Sequence, residues 1–130
     1  MTDLSFVLLY VASPTESAMF YGRLLGQQPA EASPGFAMFV LPSGMKLGLW
    51  ARHDVQPPAT VAGGGGELCF TVPTPHAVHE TYASWVAQGV PIVQTPVQMD
   101  FGYTFTAVDP DGHRLRVFRS EEHTSELQSH

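Results

Sequence analysis

The chain has 130 residues, of which 44% are hydrophobic and 14% are charged, and its formal net charge is -6. These values argue against a disordered or fibrous chain and fit one domain or two small modules that share a core. The acidic balance and the scatter of the six Lys and Arg residues argue against nucleic acid as a partner. The chain has no apolar run of about 18 residues and no secretion signal, so we expect a cytoplasmic protein without membrane contact.

The first half of the chain predicts the element order strand, helix, strand, strand, strand. Residues 4–11 form an apolar run of strand length. Ser13 and Glu16 match a capping box around Pro14, which predicts a helix that ends at Gly26. Three further strands are predicted over residues 27–31, 36–41 and 45–50, and the last two are joined by a turn at residues 42–44.

The second half repeats this order after a linker. Residues 56–66 are rich in Pro and Gly, and we take them as a linker between a first module, residues 1–55, and a second, residues 67–118. Val72 and Tyr82 repeat Val11 and Tyr21 at a distance of 61 positions, which indicates a duplicated fold. In the second module we predict a strand over residues 67–72, a helix over 75–88, a strand over 91–97 and a hairpin that turns at residues 110–112.

Residues 119–130 differ in character from the rest of the chain. Their sequence, RSEEHTSELQSH, matches the translation of a sequencing-library adapter, and we interpret it as an assembly artefact. Because the segment is polar with a single Leu127, we expect it to be disordered. His123 and His130 are therefore left out of the candidate ligands.

Three sequence motifs accompany the duplication, namely Phe20-Tyr21, Leu24-Leu25-Gly26 and the turn Asp109-Pro110-Asp111-Gly112-His113. With them, residues 4–118 resemble the vicinal oxygen chelate superfamily, which includes glyoxalase I, extradiol dioxygenases, fosfomycin resistance enzymes and bleomycin-binding proteins. The resemblance implies an α+β fold of two βαβββ modules, each a four-stranded sheet curled into a half-barrel. It also implies a homodimer, with or without domain swapping, because a half-barrel cannot close its own edge.

Metal-using members of this superfamily carry four inward ligands, which correspond here to Phe6, Gly48, Glu67 and Arg116. Phenylalanine and glycine offer no ligand atom and a guanidinium always carries positive charge, so we expect no metal at this place and no other cofactor. We predict instead that Glu67 and Arg116 form an ion pair. The alternative is a loose pair in which Arg116 reaches solvent.

Aromatic and soft side chains take the place of the metal in this interpretation. Lys46, Gly48 and Trp50 share a strand face, so the missing side chain at Gly48 is expected to leave room for a flat ring beside the Trp50 indole. For the aromatic residues other than Trp50, ordinary core packing is the alternative. The predicted ligand-binding residues are Trp50, Phe6, Tyr10, Met38, Gly48, Phe101, Tyr103, Phe105, Glu67 and Arg116.

Within the superfamily, residues 47–50, 99–105 and 109–117 look most like the phenazine antibiotic resistance proteins, which sequester a planar tricyclic antibiotic by stacking on a tryptophan. That resemblance implies the same role for Trp50, in a metal-free homodimer that protects a bacterial cytoplasm by binding a planar aromatic antibiotic. The alternative is a metal-dependent lyase or dioxygenase with ligands at other positions. A third hypothesis is a module that binds another protein or acts as a sensor, and the sequence leaves enzymatic turnover open.

Overall fold

The computed structural model describes residues 2–61 and 64–120. These residues form two compact units that divide between Ala62 and Gly63, and each unit contains one four-stranded sheet and one long helix. The predicted α+β fold is confirmed, as is the order of elements in each half. No helix in the described part of the chain is long and apolar enough to cross a membrane.

In the first unit the elements are β1 (Phe6–Val11), α1 (Pro14–Leu25), β2 (Glu31–Ala32), β3 (Phe36–Val40) and β4 (Lys46–Ala51), followed by a 3-10 turn over Arg52–Asp54. The sheet order is β1-β4-β3-β2, in which β1 and β4 are parallel and the other pairs are antiparallel. In the second unit the elements are β5 (Glu67–Thr71), α2 (Pro75–Ala87), β6 (Ile92–Met99), β7 (Gly102–Val108) and β8 (Arg114–Ser120). Their order, β5-β8-β7-β6, and their directions repeat those of the first sheet.

Local sequence explains both helices. Ser13 accepts a hydrogen bond from the backbone N–H of Glu16 at 3.2 Å, and Thr74 accepts one from Ala77 at 3.0 Å, so each helix begins at a capped position followed by proline. The first helix ends at Gly26, whose φ of 66° is left-handed.

Each sheet has one face covered by its helix and one open face. In the first unit Val11, Phe39 and Leu49 are fully buried on the face that α1 covers. On the other face Phe6 and Leu8 are 38% and 37% exposed. Alternate β1 residues therefore turn to the helix. We call this second surface the open face of the first sheet, and the pairing assigns to it Phe6, Leu8, Tyr10, Phe36, Met38, Val40, Lys46, Gly48 and Trp50.

The second sheet is arranged in the same way. Leu115, Val117 and Phe105 are fully buried on the face toward α2, where Trp85 lies 5.3 Å from the Phe105 ring. The residues that alternate with these along the strands lie on the surface that faces away from α2. We call it the open face of the second sheet, and its members include Glu67, Cys69, Thr71, Gln94, Val97, Thr104, Thr106, Val108, Arg114, Arg116 and Phe118.

Two predicted boundaries are wrong. The weak strand predicted over residues 27–31 is observed as Glu31–Ala32, because the chain is still leaving α1 at Gln27, whose backbone N–H bonds to Gly22 and whose side chain donates to the Val40 carbonyl at 2.9 Å. Residues 119–120 were expected in a disordered tail, but they extend β8 by pairing with Tyr103 and Gly102. Residues 121–130 of that tail lie outside the described residues.

Candidate functional site

Trp50 lies on the open face of the first sheet between two other aromatic side chains. The parallel partner strand places Tyr10 opposite Trp50, with the two ring centroids 6.5 Å apart and the planes at 81°. The antiparallel partner strand places Phe36 opposite Trp50 and Met38 opposite Gly48. All four large side chains are half-buried, so they keep surface that a ligand can contact. Phe36 was missed in the sequence analysis, although the turn at residues 42–44 fixes its pairing with Trp50.

The space predicted beside Gly48 is filled by the chain itself. A Cβ atom at this position would lie 2.6 Å from Cε1 of Phe6 and 2.8 Å from Cδ1 of Leu8, which is closer than packed carbon atoms approach. The prediction of room for a flat ring at Gly48 is therefore wrong. The Phe6 ring crosses from β1 to cover Gly48, and that ring extends the apolar surface.

The ion pair predicted between Glu67 and Arg116 is confirmed. Arg116 donates from Nε to Oε1 of Glu67 at 2.7 Å and from Nη2 to Oε2 at 2.9 Å, so both carboxylate oxygens are engaged. The two side chains are only 16% (Arg116) and 26% (Glu67) exposed. The pair is diagonal, since the strand register places Arg114 directly opposite Glu67, and the Arg114 guanidinium reaches the carboxylate at 3.8 Å.

Further polar groups fix the other side of the guanidinium. Nη1 of Arg116 donates to Oε1 of Gln94 at 3.1 Å and to Oγ1 of Thr104 at 3.3 Å. Thr106 donates to the same Gln94 oxygen at 3.1 Å. The result is a connected network in which Arg116 has partners on three strands. Gln94 and both threonines were not predicted from the sequence, because no local pattern in it sets the register of β6 and β7 against β8.

Charge and burial set the protonation of this network. The hydrogen bonds from Arg116 hold the pKa of Glu67 below its ordinary value, with partial burial acting in the opposite direction. The same hydrogen bonds raise the pKa of Arg116. Burial, aided by the negative charge of Glu67, raises the pKa of the Cys69 thiol. Cys69 is therefore protonated near neutral pH and lacks the character of an activated nucleophile.

Three aromatic residues of the second module were predicted to bind a ligand, and only Phe101 lies toward the open face of the second sheet. Phe101 precedes β7, its ring centroid is 5.8 Å from that of Phe118, and the Arg116 guanidinium lies 5.6 Å from it. It is 36% exposed.

Tyr103 and Phe105 are placed by the structure on the opposite, helix-covered face, which corrects their assignment as ligand-binding residues. The Tyr103 hydroxyl lies 2.6 Å from Nε2 of His79 on α2. Phe105 is fully buried and packs edge-on against Tyr82 and Trp85. The reason is the alternation of side chains along β7, which turns Thr104 and Thr106 toward Arg116 and the aromatic residues toward the core.

The four positions that correspond to superfamily metal ligands do not fit a cation. Phe6 and Gly48 supply no ligand atom, and both oxygens of Glu67 accept hydrogen bonds from a permanently charged Arg116. Among residues 2–61 and 64–120, no three His, Cys, Asp or Glu side chains come together as metal ligands.

A separate groove of about 760 Å³ lies on the helix side of the first unit, between α1 and residues 27–37. Its walls include Met19, Arg23, Gln27 and Pro34 and contain none of the predicted ligand-binding residues. This groove contains neither aromatic side chains nor residues of the polar network, so it is separate from the open face of either sheet.

Comparison with known proteins places this geometry in context. The family model described as the Glyoxalase/Bleomycin resistance protein/Dioxygenase superfamily matches residues 3–117. The solution NMR structure of protein ATC0852 from Agrobacterium tumefaciens is 56% identical, with a TM-score of 0.85, and the match covers 93% of this chain and 99% of that one. A glyoxalase-related enzyme from Fulvimarina pelagi shares the fold, at 22% identity and a TM-score of 0.81, over 92% of this chain and 89% of its own.

A curated relative is named for a resistance role. The phenazine antibiotic resistance protein EhpR from Enterobacter agglomerans is 27% identical over 127 residues, which cover 90% of this chain and 97% of that protein.

Proposed function

We propose that this chain, which belongs to the glyoxalase/bleomycin resistance/dioxygenase superfamily, binds a planar aromatic small molecule and protects its host by sequestering that molecule without chemical conversion. The relative named as a phenazine antibiotic resistance protein supports a role of this kind. The proposed ligand is a planar, fused-ring antibiotic.

The observation that carries the proposal is the position of Trp50. Its indole is half-buried on an open sheet face, and the pairing places Tyr10 on one side and Phe36 on the other. A flat ligand stacked there gains about 0.5 to 1.5 kcal/mol per aromatic contact beyond the area it buries. Met38 and Phe6 add polarizable and planar surface on the same face.

The second sheet supports binding without metal chemistry. At two of the positions that the resemblance assigns to metal ligands, Glu67 and Arg116 form a bidentate ion pair with each other. The thiol on the same face, Cys69, has a raised pKa. The open face of the second sheet therefore offers fixed hydrogen-bonding groups, with Phe101 as an exposed ring beside them.

We also propose that the protein acts as a homodimer. The open face of the first sheet exposes Phe6, Leu8 and Val40, which are 38%, 37% and 43% accessible in the single chain. Apolar surface of this kind is stabilised by covering it with protein. Sedimentation velocity of the purified chain tests this, and a monomer at micromolar concentration would contradict it.

Titration with phenazine-1-carboxylate tests the proposed function. We expect wild-type tryptophan fluorescence to be quenched on binding, and a Trp50→Ala variant to bind at least about tenfold more weakly when measured by calorimetry. Trp85→Phe is the matched control, because Trp85 is packed in the core against Phe70 and Phe105 and should leave the affinity unchanged. Failure of the wild type to bind planar tricyclic compounds, or equal binding by Trp50→Ala, would reject the proposal.

A further inference from the structure

The groove between α1 and residues 27–37 has a volume of about 760 Å³, which lies within the range of small-molecule sites. It exists because small residues line both of its sides. Ala18 and Gly22 belong to the helix, and Ala32 and Ala37 belong to the two strands that pair beside it. Larger side chains at these positions would fill the space by ordinary packing.

Hydrogen bonds hold the side of the groove that lies opposite α1. Gln27 donates from its side chain to the Val40 carbonyl at 2.9 Å and from its backbone N–H to the Gly22 carbonyl at 3.2 Å. The backbone N–H of Ala30 donates to the Met38 carbonyl at 2.7 Å. The groove is therefore formed in the absence of a ligand, which lowers the entropic cost of filling it.

The lining of this groove is mostly aliphatic and carries one positive charge. Met19, Pro29 and Pro34 contribute apolar surface, and Met19 is 60% exposed. Among the described residues that line the groove, Arg23 is the only charged one. Its guanidinium has no carboxylate partner in the part of the chain that the structure describes.

These features select the chemistry of an occupant. Since the described lining contains no aromatic side chain, a flat ring has no partner for stacking there. An aliphatic chain gains free energy in proportion to the apolar area that it buries against methionine, proline and alanine. A guanidinium complements a carboxylate, which it binds through two parallel hydrogen bonds.

We propose that this groove is a second binding site, which takes an aliphatic carboxylate with its chain along Met19 and the prolines and its carboxylate on Arg23. The site is built entirely from the first unit, on the side of its sheet that α1 covers. Binding here and binding at Trp50 are independent, so failure of one leaves the other in place.

Octanoate and 1-octanol are the probes, because they have the same chain length and differ in the carboxylate. Titration of the isotope-labelled full chain at neutral pH, followed by two-dimensional NMR, gives both the affinity and the place of binding. We expect octanoate to shift the backbone amide signals of residues 22–33 with saturation, while the indole N–H signal of Trp50 stays in place. Saturable shifts centred on Trp50, or the absence of saturable shifts, would overturn the proposal.

Arg23→Met tests the charge. It keeps an unbranched apolar stem and removes the guanidinium, so we expect the affinity for octanoate to fall about threefold while that for 1-octanol stays the same. Arg23→Lys keeps the positive charge and should recover part of the loss. Arg52→Met is the matched control, since Arg52 lies in the 3-10 turn and does not line the groove. An unchanged ratio of the two affinities in Arg23→Met would overturn the proposal.

Ala32→Leu tests the place. Ala32 is an exposed residue that lines the groove, so a leucine there occupies groove volume with little effect on the buried core. We expect both probes to bind at least about threefold more weakly. Ala30→Leu is the matched control, because Ala30 is also exposed and lies outside the lining. Thermal unfolding confirms that each variant is folded, and wild-type affinity for both probes in Ala32→Leu would overturn the proposal.

Discussion

The Phe6 ring packs directly over the Cα atom of Gly48, so that a Cβ atom at residue 48 would lie only 2.6 Å from Cε1 of Phe6. The duplicated second unit repeats this relationship with different chemistry, because Glu67 and Arg116 occupy the corresponding positions and form a bidentate ion pair. In both units a side chain at the start of the first strand therefore contacts a residue of the neighbouring strand, β4 or β8, that lies two positions beyond its own register partner. In the first module this contact is apolar packing between Phe6 and Gly48, and in the second it is an ion pair between Glu67 and Arg116.

Gly48→Ala is expected to destabilise the protein by about 1 kcal/mol, the low end for overpacking, because the new methyl group overlaps the ends of the Phe6 and Leu8 side chains, which are partly exposed and can turn aside. Urea denaturation measures the change in the free energy of unfolding. Gly65→Ala is the control, since a Cβ atom there meets nothing within 4 Å. A second substitution, Phe6→Leu, should recover part of the loss by making room. Equal stability of wild type and Gly48→Ala would show that the contact is not tight.

Arg116→Met is expected to cost about 1 to 3 kcal/mol, between the values for exposed and fully buried pairs, because the Glu67 side chain, which is 26% exposed, loses its bidentate partner. Arg114→Met is the matched control. Its side chain is 60% exposed and reaches Glu67 only at 3.8 Å, so its loss should cost under about 0.5 kcal/mol. Chemical denaturation at neutral pH compares the two. Equal losses of stability in the two variants would contradict the expectation that Arg116 stabilises Glu67 more than Arg114 does.

The Glu67 carboxylate gives stability a defined dependence on pH. Because Arg116 lowers its pKa in the folded protein, the contribution is fully present above the unfolded pKa of about 4.3 and is lost as the pH falls through the lower folded value. Arg116 stays charged throughout, since its pKa is raised. The difference in unfolding free energy between wild type and Glu67→Gln should therefore shrink from about pH 6 to about pH 3. A constant difference across this range would refute the linkage.

Asp109 is expected to hold the turn that leads into β8. Its buried carboxylate accepts hydrogen bonds from the backbone N–H groups of Asp111 at 2.9 Å and His113 at 2.8 Å, and it also contacts Nδ1 of His113 at 2.8 Å. Asp109→Ala should lower the free energy of unfolding by about 1 to 3 kcal/mol, because two part-buried N–H groups lose their acceptor. Asp100→Ala, at an exposed turn, is the control in thermal unfolding. A neutral effect of Asp109→Ala would mean that the turn forms without it.

The sequence alone predicted the order of elements, since caps, glycines and hydrophobic periodicity are local signals that survive in the folded chain. Ser13 and Thr74 begin the helices at the expected positions, and the fold matches the superfamily that the repeats resemble. The ion pair between Glu67 and Arg116 could also be predicted from the sequence, because the alignment of the two repeats places both residues at inward positions of neighbouring strands.

Strand parity is where sequence reasoning failed. Alternate aromatic residues along β7 suggested a ligand surface, but the pairing of Phe105 with Val117 turns them into the helix-covered core. That choice depends on the register of β7 against β8, and a shift of one residue would exchange the two faces.

What the sequence determined by itself was the element order, the duplicated module and the chemical types available at each strand position, because these follow from local conformational preferences. Tertiary structure alone decided that the Phe6 ring covers Gly48 and that Arg116 orients the amide of Gln94. Both relationships join strands that are far apart in sequence, so they depend on side-chain geometry across a ladder that no local pattern encodes.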